Sequence, residues 1–170
     1  MLALFAAALA AATPSPALEA SVPWWEKITV TVDDKGKQQS CQYQISLVPT
    51  GAKTCDEDMA ASVAAGGREG NVGAFSKLTF ERRFSPGSQL DGGQLEPGDK
   101  LLGRQVMFLT FDPKGSIESC HVVAKTGDMA FQYDCDAARR EQFRAPAGGD
   151  PAPRQAFMTV LAYGHSEQIA

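Results

Sequence analysis

The sequence predicts an α+β chain made of two tandem ββαβ units, each a three-stranded antiparallel sheet with one helix packed on it and one disulfide. Three observations lead there. The stretch Lys27–Cys55 (KITVTVDDKGKQQSCQYQISLVPTGAKTC) repeats its plan in Val106–Cys135 (VMFLTFDPKGSIESCHVVAKTGDMAFQYDC). The offset is 79 at the turn glycines Gly36 and Gly115 (115 − 36) and at Cys41 and Cys120 (120 − 41), and 80 at Cys55 and Cys135 (135 − 55). Two copies in register mark an internal duplication. Within each copy apolar residues alternate with period two on either side of a turn, which is the signature of a hairpin. Each copy also holds two of the four cysteines.

The chain has 170 residues, 44% hydrophobic and 21% charged, the composition of one ordinary globular domain or two small ones. A net charge of −4 excludes a nucleic-acid partner, whose phosphates require a basic footprint. The sequence has no polybasic run to dock on anionic lipid. The expected partner is a protein or peptide.

Residues 1–20 read as a secretory signal peptide. Met1 to Ala12 is apolar, and Thr13-Pro14-Ser15-Pro16-Ala17 and Leu18-Glu19-Ala20 follow it with small residues. The apolar run falls well short of the ~20 residues a spanning helix needs, so export to the periplasm, without insertion in the membrane after cleavage, is the expectation. Two cleavage frames fit, after Ala17 or after Ala20.

The first unit occupies 21–86. Ile28, Val30 and Val32 alternate with Thr29 and Thr31, Asp33-Asp34-Lys35-Gly36 turns the chain, and Cys41, Tyr43, Ile45 and Leu47 line one face of the return strand. Thr54 as N-cap with Glu57 three residues on predicts a short helix that stops at Gly66-Gly67. Leu78, Phe80 and Phe84 mark a third strand. Trp24-Trp25, just before the first strand, are read as core or inter-lobe packing. Residues 87–100, rich in Gly and Pro, read as a linker.

The second unit occupies 101–164, with a polar tail at 165–170. Met107, Leu109 and Phe111 take the places of Ile28, Val30 and Val32, and Asp112-Pro113-Lys114-Gly115 is a turn with Asp and Pro at their favoured positions. Cys120, Val122 and Ala124 follow. Asp128 is expected to cap a helix reaching about Phe143, with Phe131, Cys135 and Ala138 on one stripe. The last strand runs from Gln155 to Tyr163, and both its faces are largely apolar.

Four cysteines permit three pairings; the duplication selects Cys41–Cys55 and Cys120–Cys135, because each unit should carry its own staple. Paired cysteines suit an oxidising compartment. No Cys-x-x-Cys pair occurs, and neither His121 nor His165 stands at ligand spacing, so no metal or cofactor is expected. His121 follows Cys120 directly, which on a strand sends the two side chains to opposite faces. The sequence offers no nucleophile motif or phosphate loop, and the expectation is a protein that is not an enzyme.

The second unit resembles the C-terminal domain of TonB-type energy transducers. The residues that carry the likeness are Asp112-Pro113-Lys114-Gly115-Ser116-Ile117, Cys120-His121-Val122-Val123, Thr126-Gly127-Asp128, Arg139-Arg140 and Phe143-Arg144-Ala145-Pro146-Ala147. The resemblance implies a ββαβ unit whose last strand lies at a sheet edge and pairs with a short segment of an outer-membrane receptor, a β-augmentation needing no catalytic side chain. Carried over, the pairing strand is Phe157, Met158, Thr159, Val160, Leu161, Ala162 and Tyr163. The transducers also carry an anchor helix and a long proline-rich spacer, which this sequence does not display, so the activity carried over is peptide binding, and a part in energy transduction stays open. The duplication offers the edge a second use: the two units can pair with each other and bury it.

Overall fold

The computed structural model describes residues 18–35, 37–48, 51–55, 75–127, 129–144 and 154–166. In chain order the elements are β1 (Leu18–Glu19), β2 (Trp24–Val32), β3 (Gln38–Ile45), β4 (Lys53–Thr54), β5 (Lys77–Pro86), β6 (Asp99–Phe111), β7 (Ile117–Thr126), the helix α1 (Cys135–Arg139), β8 (Phe143–Arg144) and β9 (Gln155–His165). Seven strands form one sheet in the order β4-β3-β2-β5-β9-β6-β7, and β1 pairs with β8 in parallel beside it. Every pairing in the large sheet is antiparallel.

This corrects the expected α+β architecture. The two units do not make separate three-stranded sheets; the described residues are mostly strand, and seven of the strands join in one continuous sheet. The joint is the ladder between β5 and β9, which runs from Lys77 opposite His165 to Pro86 opposite Ala156. Each of these strands pairs on its other side within its own half, β5 with β2 and β9 with β6. Left apart, each half would expose a row of unpaired N–H and C=O groups, and joining them satisfies both rows at once.

The halves meet about an internal two-fold. Opposite Val30 and Ile28 of β2 stand Leu78 and Phe80 of β5. Opposite their counterparts Leu109 and Met107 of β6 stand Ala156 and Met158 of β9. The third strands are thus equivalent at an offset of 78 (156 − 78), and in the β5–β9 ladder Arg82 faces Val160, itself 78 residues on (160 − 82). That pair sits on the axis; the Phe80–Ala162 pair is carried onto the Met158–Phe84 pair across it.

The turns repeat atom by atom. Asp33 Oδ1 accepts from the N–H groups of Lys35 (3.0 Å) and Lys37 (2.8 Å), and Asp112 Oδ1 from those of Lys114 (2.8 Å) and Ser116 (2.9 Å). The Lys37 N–H, joined by that of Lys35, holds the Asp33 carboxyl below the usual carboxylate range. In the second turn Gly115 has φ +85°, and a Cβ there would lie 2.1 Å from the Phe143 carbonyl oxygen. Only glycine fits a left-handed position with backbone so near.

The larger core crosses the joint. Trp24 stacks on Phe84 (centroids 5.5 Å apart, planes at 11°), Phe84 lies 5.4 Å from Phe143, and Phe111 meets Phe143 edge-on at 5.0 Å. Ala20, Met107, Leu109, Ile117, Cys120, Ala138, Ala156, Met158 and Val160 complete that cluster. Trp24, 3% exposed, is therefore inter-lobe packing, as its sequence context suggests. A smaller core of Val30, Val32 and Cys41, with Ile28, Cys55 and Phe80 against it, belongs to the first half.

Only one helix occurs among the described residues, and it is short. The expected helix from Asp128 to Phe143 shrinks to five residues because its flanks are committed elsewhere. Asp134 caps it through Ala137 N (2.9 Å), Met129 and Phe131 pack beside Gly103, and Phe143 belongs to β8. Of the first unit's expected helix, Thr54 lies in β4, and 56–74 fall outside the described residues. The stretch 87–98 folds back on the sheet instead of spacing two domains: Arg83 Nη1 donates to Asp91 (2.9 Å) and Asp91 N to Ser85 Oγ (3.1 Å). Asp99 and Lys100 already belong to β6. At the other end Leu18–Glu19 pair with Phe143–Arg144 and Ala20 is buried in the larger core, so the first three described residues are part of the folded body.

Candidate functional site

The strand expected to pair with a peptide, Phe157 to Tyr163, lies within β9. Val160 faces Arg82 on one side and Gln105 on the other, and Phe157 faces Ser85 and Phe108. Both edges are occupied by the chain itself, which corrects the expectation of a free edge. Met158 and Thr159 are fully buried, and Leu161, Ala162 and Val160 nearly so. The sequence carries the signal: a strand apolar on both faces is an interior strand. The cysteines pair as expected, Cys41 with Cys55 (Cα–Cα 5.3 Å) and Cys120 with Cys135 (5.5 Å). Each staple joins a second hairpin strand to the segment that follows.

Sequence reasoning missed Arg82. On the two-fold axis, its Nε donates to Glu26 and its Nη1 to Glu141 (2.6 Å), while its guanidinium carbon lies 5.3 Å from the Trp24 ring centroid and 4.8 Å from that of Tyr133. Tyr43 OH donates to Glu26 (2.7 Å) and Tyr133 OH to Glu141 (2.6 Å). Burial works against the charge on Arg82, but Glu26 and Glu141 outweigh it and hold the guanidinium protonated more firmly than usual. Glu26, Tyr43 and Trp24 come from the first half and Glu141 and Tyr133 from the second, so the cluster ties the halves together. An arginine at an inward-facing strand position, three residues before Ser85-Pro86, was the available hint.

Beside this cluster is a groove of about 280 Å³ lined by Ile28, Phe80, Val160, Ala130, Phe131, Gln132 and Tyr133, with Glu26, Glu81, Arg82 and Glu141 also contributing. Its lining is mostly apolar, and among its charged groups Glu26 and Glu141 both answer Arg82. Chemically it suits an apolar group; Arg82, already engaged twice, has little left to offer an anion.

The opposite face of the sheet centre has the reverse polarity. Glu81, 3% exposed, accepts from Arg83 Nε and Tyr163 OH (3.1 Å), with Lys27 Nζ at 3.8 Å. Burial and the neighbouring Glu81 carboxylate push the Tyr163 phenol up; burial with Glu26 does so for Tyr43, and burial with Glu141 for Tyr133. His165 Nδ1 meets Asp99 Oδ1 at 2.9 Å, which resembles half of a catalytic relay, but the nearby Ser76 hydroxyl donates to the His165 backbone carbonyl (3.1 Å) and not to its ring. Among the described residues no three His, Cys, Asp or Glu side chains gather as metal ligands, and no helix is long and apolar enough to cross a membrane.

Both outer edges of the sheet carry a device against pairing. At one end β4 covers Gln42 and Tyr43 of β3 and is anchored by the Cys41–Cys55 staple, with Cys55 N donating to the Cys41 carbonyl (3.2 Å). At the other, β7 is bulged: Ala124 faces Val106 and Val122 faces Met107, which leaves Val123 as the extra residue. A bulge interrupts the regular edge, and the exposed Lys125 charges it.

No family model, curated protein or solved structure matches this chain.

Proposed function

We propose that this chain is a non-catalytic, exported accessory protein of the cell envelope, a single stapled body whose duplicated halves pair with each other where a TonB-type domain pairs with a receptor segment. One observation carries the reading: β9, the counterpart of the peptide-binding strand, has β5 on one side and β6 on the other. The outer edges support it, since β4 and the β7 bulge leave no long regular edge for a peptide to extend. Two disulfides fit an oxidising compartment, and the apolar leader at 1–12 supplies the route there. In this reading the protein acts through its assembled surface and not by strand exchange or bond-making.

The test is a titration of the oxidised protein with an extended receptor-box peptide, followed through backbone amide chemical shifts. The expected result is no saturable change along Phe157–Tyr163. Saturable shifts confined to that strand, with the rest of the sheet unmoved, contradict the reading and restore peptide capture.

A further inference from the structure

We propose that a signal peptidase hydrolyses the bond between Ala17 and Leu18, so that the mature protein begins at Leu18. The inference rests on the export reading above and decides between the two frames the sequence allows. Water adds across the Ala17–Leu18 peptide bond: the leader leaves with a new carboxylate on Ala17, and the body keeps a new α-amino group on Leu18.

The chemistry of recognition favours this bond. Signal peptidases accept small side chains at the first and third positions before the cut. Cleavage after Ala17 places Ala17 and Ser15 there, whereas cleavage after Ala20 places Ala20 and the bulkier Leu18 there.

The fold favours it independently. Leu18–Glu19 form β1, in parallel register with Phe143–Arg144. The Glu19 carbonyl accepts from Trp24 Nε1 at 2.9 Å, and the Glu19 carboxylate lies 3.1 Å from Arg144 Nη1. Ala20, 4% exposed, is built into the core that contains Trp24, Phe84 and Phe143, and Leu18 packs against that core. A cut after Ala20 would remove a strand, a buried methyl and the acceptor of a buried indole N–H.

The full chain, leader included, is expressed in a host that exports it, and the product is read by intact mass and N-terminal sequencing. A product starting at Leu18 is expected. A product starting at Ser21 overturns the inference while leaving export in place; one still starting at Met1 overturns the export reading and the inference with it. In a second arm, Ala17→Arg puts a large cation next to the cut, and the uncleaved precursor is expected to accumulate. Processing of that variant to the same product as the parent overturns the assignment of the bond.

Discussion

Arg82 combines tasks that a lysine could not. Its planar guanidinium binds Glu26 and Glu141 through different nitrogens while lying between the Trp24 and Tyr133 rings. Removing it strands two carboxylates that are largely withdrawn from water, so Arg82→Met is expected to cost about 3 kcal/mol in urea denaturation. Arg82→Lys should recover only part of the loss, because a single ammonium cannot reproduce the fork or the stack. All three tyrosines, Tyr43, Tyr133 and Tyr163, donate to glutamates. Their folded pKa values lie above that of a free phenol, so folding favours the protonated form. That stabilisation is complete below about pH 10 and is lost as pH climbs through the folded values. An alkaline titration followed by phenolate absorbance should therefore show no normal tyrosine near pH 10, and ionisation should coincide with unfolding. A tyrosine titrating at about pH 10 in a protein with native circular dichroism would contradict these contacts.

Among the elements, β9 decides the architecture. Proline has no N–H to give and is excluded from interior strands, so Val160→Pro should abolish cooperative folding as measured by circular dichroism. A substitution at an edge would leave a folded protein with altered binding. Much of this level was legible in the residues. The alternation of Ile28, Val30 and Val32 and of Met107, Leu109 and Phe111 located the first strand of each half, and Asp33 and Asp112 located the turns. The duplication selected both staples, Cys41 with Cys55 and Cys120 with Cys135. Two things were not legible. The pattern of a strand does not name the neighbour that takes its second edge; the apolar residues on both faces of Phe157–Tyr163 pointed to an interior position, but the partner strand lies some eighty residues earlier. The helical spacing of Phe131, Cys135 and Ala138 predicted a long helix, yet Glu141 is drawn to Arg82 and Phe143 to β8, and these tertiary demands end it at Arg139. The Arg82 cluster was hidden for the same reason, since its members come from five separate places in the chain.

At the scale of the molecule, duplication has become symmetry. Two hairpins with a third strand apiece meet through those third strands about an axis at Arg82 and Val160, and the joint closes the edge that each half alone would leave open. The ion clusters of Arg82 on one face and Glu81 on the other flank the joint, and the aromatic core from Trp24 to Phe111 crosses it. Folding should accordingly be a single cooperative event shared by both halves. Native-state hydrogen exchange resolved by residue tests this most directly. The account predicts that the amides of Phe157–Tyr163 and of the facing β5 residues exchange together, at the slowest rate in the protein, only through global unfolding. Rapid exchange at alternate β9 residues, or two halves that open at separate free energies, would contradict it.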